Sequence, residues 1–298
     1  MDCRSGDGSE MNTTGKLHMF SSRSVFLSAM TRITPMGRLF VLAFGILHAV
    51  LVLITYAPAT EAQTTDIPTV LITGANRGIG LEFARQYGAK GWKVIATCRK
   101  PESANDLIAL AAKYPDILIE ELDVLDHERI DELAEKYKDV PIDVLINNAG
   151  ISGGYDNQNF GTIKYEIFDQ VMSTNFISPL KMAEAFIEHV AASDQKKIIN
   201  ISSMPSSIAL TSGRLYIDRP SKTALNMVIR TLSIDVAHRG IIVGLIAPGL
   251  VDTDLTQSLD IPKISPEQSV SASIELIGNY TLEMSGSLIQ HTGERLPW

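Results

Sequence analysis

Three glycines, Gly74, Gly78 and Gly80, stand in the stretch Thr73-Gly74-Ala75-Asn76-Arg77-Gly78-Ile79-Gly80. A β-branched apolar run from Ile67 to Ile72, bounded by Pro68, precedes them and reads as a buried parallel strand. Leu81, Phe83, Ala84, Tyr87 and Gly88 follow at helical spacing. Glycines in a strand-to-helix turn suit phosphate chemistry. A tight turn needs a residue free of Cβ clashes. A phosphate reaches backbone N–H groups only where no side chain blocks it, and a helix packs closely on a strand over a glycine. The first N–H groups of the helix add unpaired donors and partial positive charge. We read the stretch as a diphosphate cradle for a dinucleotide; the plainer reading is an ordinary glycine-rich turn.

The second predicted strand ends in Thr97-Cys98-Arg99-Lys100. An Asp or Glu here would bind the ribose 2′-OH of NAD, and there is none. Arg99 and Lys100, with Arg77 in the glycine turn, offer charge to a 2′-phosphate. NADP(H) is therefore expected over NAD(H), although Arg99 also fits a solvated loop. The third strand ends in Leu122-Asp123-Val124 and the fourth in Asn147-Asn148-Ala149-Gly150. Small residues there let the backbone lie along a cofactor, and the amides can lock neighbouring strands. After the sixth strand comes Ala247-Pro248-Gly249-Leu250-Val251-Asp252-Thr253, with a Pro-Gly turn signal.

The glycine spacing, the Asn-Asn-Ala-Gly run and the Pro-Gly-x-Val-x-Thr turn together resemble the classical short-chain dehydrogenase/reductase family. The resemblance covers roughly Ile67 to Trp298. The final residues, Gly286 to Trp298, resemble its C-signalling-factor-like and carbonyl-reductase-like branch. It implies a cofactor site built from Thr73, Gly74, Asn76, Arg77, Gly78, Ile79, Gly80, Arg99, Asp123, Val124, Asn148, Ala149, Gly150, Lys222, Pro248, Gly249, Val251 and Thr253. Asp123 would contact the adenine, and Val251 and Thr253 would hold the nicotinamide carboxamide. It also implies a small-molecule carbonyl or alcohol substrate and a homo-oligomer.

The implied reaction is hydride transfer, which leaves charge on a carbonyl oxygen that an acid must protonate. A tyrosine serves near neutral pH when an ammonium lowers its pKa. In the family that tyrosine lies four residues before the lysine, on one helix face. Asn175, Ser203 and Lys222 match the family's asparagine, serine and lysine, with Ser202 the near neighbour of the serine. The tyrosine does not match: Asp218 stands four residues before Lys222 and Tyr216 six. Two readings stay open. In one, Ile217 and Asp218 bulge before the helix, so that Tyr216 still donates the proton and the chain is an NADP(H)-dependent oxidoreductase. Or Asp218 holds the tyrosine's place, ionised and a poor donor, in a dinucleotide-binding protein with weak or no catalysis that signals or senses.

These residues need a frame. Strands are expected at 69–73, 93–98, 117–122, 143–146, 197–201, 242–246 and 287–291. Helices are expected at 79–90, 102–114, 128–138, 165–190 with a bend near Pro179, 219–238 and 266–278. Such alternation gives an α/β fold, a Rossmann-type doubly wound parallel sheet in one domain, 67–298. The substrate loops are placed at 207–214 and 256–266. Their Ile208, Leu210, Leu259 and Ile261, with nearby Leu255, suggest a moderately apolar carbonyl compound.

Composition excludes other classes. A net charge of −8 argues against nucleic acid. Two cysteines, Cys3 and Cys98, make no disulfide framework, and no Cys/His cluster has metal-ligand spacing. Residues 1–36 are polar and read as a disordered leader. Residues 37–60 contain eighteen uncharged positions, Leu39 to Tyr56, preceded by Arg32 and Arg38 and followed by small-residue cleavage signals. As a helix they span about 27 Å, near the hydrocarbon thickness. The segment is read as a membrane anchor, with a cleaved secretory or periplasmic signal, or a mistaken start before a cytoplasmic enzyme, as the alternatives. The positive flank would send the domain out of the cytoplasm, away from the chief nicotinamide pool.

Overall fold

The computed structural model describes residues 67–298, with the isolated Thr34 and Met36 before them. The leader and the apolar segment 39–56 otherwise lie outside the described residues. Among the described residues no helix is long and apolar enough to cross a membrane.

Seven described strands form one sheet: β1 (Thr69–Ile72), β2 (Lys93–Cys98), β3 (Ile117–Glu121), β4 (Val144–Asn147), β5 (Lys197–Ile201), β6 (Ile242–Ala247) and β7 (Leu288–Gln290). Their order is β3-β2-β1-β4-β5-β6-β7, and every neighbouring pair is parallel. The helices are α1 (Gly78–Ala89), α2 (Asn105–Lys113), α3 (His127–Lys136), α4 (Phe168–Met172), α5 (Ser178–Ala191), α6 (Asp218–Asp235) and α7 (Pro266–Gly278). The strand order reverses between β1 and β4, so the carboxyl ends of those strands form the switch point where such sheets bind ligands.

The side-chain period of two explains the layers. Val70 and Ile72 of β1 pack with Phe83, Ala84 and Tyr87 of α1, Leu107 of α2 and Val270 and Ile277 of α7. Leu71 faces the other way, into Ile130 and Leu133 of α3, Phe186 of α5 and Leu225 and Ile229 of α6. Both faces are covered, and all four β1 residues are buried.

Most expected elements agree with the structure within one or two residues, and two differ for physical reasons. The helix expected from 102 is a 3-10 turn at Pro101–Ser103 followed by α2, because Ala104, with φ −84° and ψ 62°, leaves the helical region. The helix expected over 165–190 is interrupted just before Pro179. It opens as a 3-10 turn at Tyr165–Ile167, and a π turn at Ser173–Ile177 separates α4 from α5. Pro179 is the second residue of α5, directly after that turn, where a proline removes one helical N–H. Single π turns gather at functional sites, and this one carries Asn175.

Candidate active site

The β1–α1 turn is held against the end of β4. Thr73 Oγ1 accepts from the backbone N–H groups of Asn148 and Ala149, both at 3.0 Å. Asn148 Nδ2 donates to Thr73 O at 2.9 Å and Gly74 O at 3.1 Å. Gly74 has φ +67°, and a Cβ there would stand 3.0 Å from Ala149 Cα. A Cβ on Gly80 would run into Gly74 O and Asn148 Nδ2. The amides also lock strands, as expected: Asn147 Nδ2 donates to Asn200 Oδ1 at 2.9 Å across β4 and β5.

The helix entered through this turn has no side-chain cap, its N-cap position being Arg77. By contrast α3 is capped by Asp126 and α7 by Ser265. The chain thus leaves the opening amides of α1, including Gly78 and Ile79, free for an anion, which fits a diphosphate. Asn76 and Arg77 are exposed at the mouth. Arg99 and Lys100, exposed past β2, form no ion pair with any described residue. Arg77 is already engaged, by Asp254 at 2.9 Å, with both side chains largely exposed. Asp123 accepts from Leu125 N at 3.1 Å, a local turn bond, and Val124 beside it is buried.

Opposite the cradle lies the turn after β6. Pro248 O accepts from Ser269 Oγ at 2.7 Å, and Val251 forms a bridge to Ile264. Gly249 takes φ +85° against the ring of His291. Thr253 reaches across, its Cγ2 standing 3.3 Å from where a Gly78 Cβ would be.

Asn175 and Lys222 come together between these walls, and Ser203 follows the end of β5 that Lys222 reaches. A Cβ built on Gly150 would lie 3.3 Å from Asn175 Oδ1 and 3.6 Å from Lys222 Nζ. Asn175, buried in the π turn, accepts from Ile151 N and donates to Ile151 O, both at 2.9 Å, and donates to Ser221 Oγ at 3.0 Å. Lys222 Nζ donates to Ile201 O at 2.8 Å, two residues before Ser203. Its stem is half-buried but its ammonium is enclosed, and burial brings its pKa down to about 8, with Asp218 pulling partly the other way. Between the two serines the structure is selective. Ser202 is buried and donates to Asn226 Oδ1 at 2.7 Å, whereas the Ser203 hydroxyl caps nothing.

The tyrosine is where expectation and structure part. Helix α6 begins at Asp218, so Asp218 and Lys222 stand one turn apart on one face. Tyr216 precedes the helix. Gly213, Arg214 and Leu215 all have positive φ, 78°, 63° and 57°, which turns the chain outward before it enters α6. The Tyr216 ring, 43% exposed, packs on Phe160 with centroids 5.9 Å apart. Tyr216 stands before the helix, and the expected bulge at Ile217 and Asp218 is absent, because Ile217 is the N-cap and Asp218 the first helical residue.

Asp218 is fully occupied by the loop after β4. Its carboxylate accepts from Ser152 Oγ at 2.6 Å, Gly153 N at 2.8 Å and Gln158 Nε2 at 2.8 Å. Gln158 Oε1 accepts in return from Asp218 N at 2.8 Å. Tyr155, in the same loop, is near enough for the Asp218 charge to add to burial in raising its pKa. Sequence reasoning missed Ser152, Tyr155 and Gln158. The Gly153-Gly154 pair marks a loop, but nothing in it announces Asp218 as its partner. It also missed the docking of the chain end on a substrate loop, where Ser207 Oγ donates to Pro297 O at 2.6 Å and Ala209 N to Trp298 O at 2.7 Å.

A doubly wound parallel sheet with an uncapped glycine turn at its switch point defines a dinucleotide-binding α/β protein. The family model for short chain dehydrogenases matches residues 68–263. The chain belongs to that family, oxidoreductases acting on CH–OH/C=O pairs. It is 32% identical to the NADPH-bound carbonyl reductase from chicken fatty liver, with a TM-score of 0.72 over 78% of this chain and 99% of that one. The carbonyl reductase Sniffer of D. melanogaster is 28% identical, with a TM-score of 0.71 over 78% of this chain and 100% of that one. The C-signal of Myxococcus xanthus is 32% identical over 159 residues, 53% of this chain and 93% of that protein. These relatives agree with the branch suggested by the Gly286–Trp298 tail.

Proposed function

We propose that the protein is an NADP(H)-dependent oxidoreductase interconverting a carbonyl and an alcohol. The observation that carries this reading is the convergence of Asn175 and Lys222 on the Gly150 backbone, with Ser203 two residues after the Ile201 carbonyl that Lys222 reaches. The bound nicotinamide supplies or takes the hydride. The uncapped turn at Gly74–Gly80 holds the diphosphate, and Val251 and Thr253 face the nicotinamide end. Ser203 orients the carbonyl oxygen, Lys222 holds a proton and a positive charge near it, and Asn175 fixes the backbone at Ile151 that closes the site. NADPH oxidation measured against a panel of aldehydes and ketones tests this. Wild type without turnover on any of them would sink it.

A second reading has its own observation. The carboxylate four residues before Lys222 accepts three hydrogen bonds and points them all at the 152–158 loop. That favours a dinucleotide-binding protein with weak or no catalysis. NADPH binding without turnover is its signature.

The cofactor preference rests on Arg99 and Lys100, which no described acid neutralises. Arg99→Ala is expected to weaken NADPH binding by about 1.5–3 kcal/mol, the range for hydrogen bonds to charged groups, and to spare NADH. Titration calorimetry with both nucleotides checks it, and equal loss for both would refute the preference. Arg77 gives the opposite effect, because its ion pair with Asp254 competes with a phosphate. An exposed pair is worth at most ~1 kcal/mol, so Asp254→Ala is expected to tighten NADPH binding roughly two- to fivefold. The gain should vanish at high salt; a gain that survives 1 M salt, or none at low salt, would count against the competition.

Membrane association through 39–56, and pairing of copies into a homo-oligomer, complete the proposal. Alkaline carbonate extraction decides the first, since full-length protein released into the supernatant cannot be anchored.

A further inference from the structure

We infer that Lys222 itself is the proton donor, and that Asp218 has changed from an acid's place into a clamp for the loop after β4. This rests on the carbonyl-reduction reading above and deepens it.

Geometry leaves few candidates. The position that faces Lys222 from one helical turn before carries a carboxylate whose oxygens accept from Ser152 Oγ, Gly153 N and Gln158 Nε2. Both oxygens of that carboxylate are taken up as acceptors from the 152–158 loop, so it is turned to the loop and not to a substrate. It is also shorter than a phenol and turned toward the loop, so it does not cover the ammonium as a tyrosine ring would. Tyr216 lies outside the helix on Phe160. Ser203 is a weak acid suited to orienting a carbonyl. Lys222 Nζ remains, with three N–H donors and one described acceptor, Ile201 O. It borders Gly150 on the open side of the site.

The groups packed around it suit this role. Asp218, on its own helix, is the charge that faces it. The π turn adds neutral Asn175 and β5 the carbonyl of Ile201, while the Tyr155 phenol of the 152–158 loop feels the same Asp218 charge. Burial outweighs the pull of Asp218, so the ammonium holds its proton at neutral pH yet releases it readily. The step balances. The hydride of the reduced nicotinamide forms the new C–H bond, the carbonyl π pair moves to oxygen, and one Nζ–H bond breaks to make the O–H. Water reprotonates the amine.

The experiment is a pH profile of kcat/KM for wild type, Lys222→Arg and Tyr155→Phe, with NADPH binding followed by nucleotide fluorescence. Arginine keeps the charge and the donors but does not give up a proton. Wild type should lose activity tenfold per pH unit above about 8. Lys222→Arg should bind NADPH and lose at least a hundredfold in kcat, as for removal of a general acid. Tyr155→Phe should keep the wild-type limb. If wild type turns over and Lys222→Arg retains that rate, or if Tyr155→Phe abolishes it, the assignment is overturned while the carbonyl reading stands. The wild-type profile needs no variant to fold, and a profile flat to pH 10 would overturn the assignment by itself. No turnover by wild type ends the carbonyl reading, and this assignment with it.

Discussion

Asp218→Tyr is expected to raise kcat/KM for carbonyl reduction by about two orders of magnitude at pH 9, while making the fold less stable. The first half follows from the register of α6. Residue 218 opens the helix one turn before Lys222, so a phenol there faces the enclosed ammonium and is acidified by it. A positioned acid contributes typically 10²–10⁴-fold, and above about pH 8 the wild-type lysine has begun to lose its proton. At pH 6, where the ammonium is intact, the gain should be smaller. The cost follows from what Asp218 does now. Removing its carboxylate takes the acceptor from Ser152 Oγ and Gly153 N and leaves Gln158 Nε2 only Gly154 O at 3.2 Å, and a buried donor left unpaired costs about 1–3 kcal/mol. Gln158 is fully buried, so the amide hydrogen that Asp218 accepted finds no water in its place. Thermal unfolding and a paired rate measurement read both halves. A variant that is less stable but no faster would show that residue 218 does not face the reacting oxygen.

The same residue shows what a sequence discloses and what it conceals. The switch point was legible, because glycines at 74, 78 and 80 after a buried run leave few other uses for such a turn. The parallel sheet was legible for a similar reason: β-branched runs alternating with amphipathic stretches repeat down the chain, and β2, β5 and α7 fall at the expected residues. Asn175 was legible as a residue type, but not the π turn that buries it, since that turn depends on tertiary packing against α6. Lys222 was found by its spacing. The partner of Asp218 was not, because a helix position names the face a side chain occupies and not the loop that will fold over it. Gln158 and Ser152 lie sixty and more residues away, in a stretch without periodicity. Tyr216 misled for a local reason. Three consecutive left-handed residues, two of them not glycine, redirect the chain in a way that no propensity rule anticipates. Such strain costs of order 1 kcal/mol or more per residue and persists only where surrounding contacts enforce it. Here these include Tyr216 N on Gln158 O at 3.0 Å and Arg214 Nε on Asn159 Oδ1 at 3.2 Å.

Lys222→Met is expected to abolish turnover and to stabilise the protein. Methionine fills nearly the same volume without a charge, so the enclosed site stays packed. The ammonium is the disfavoured form inside, as its lowered pKa records. The sign follows from proton counting. Between about 8 and the ordinary value of 10.5 the unfolded lysine is protonated and the folded one increasingly is not. The unfolded state binds more protons there, so stability rises with pH across that window. Below about 8 both states hold the proton and the full penalty of enclosing it is present, on the order of 3 kcal/mol. The bond to Ile201 O offsets part of the penalty, by roughly 1 kcal/mol, and its acceptor loses that donor in the variant. A net gain of about 1–3 kcal/mol at pH 7 is therefore expected, seen as a rise of several degrees in Tm. The gap should shrink between pH 8 and 10.5, because the wild type sheds its penalty there and the variant has none to shed. Unfolding scans of both proteins from pH 6 to 10 check this. A variant that is less stable at pH 7, or a gap that does not change with pH, would mean that the ammonium is far better solvated than its enclosure beside Gly150 and Asn175 implies.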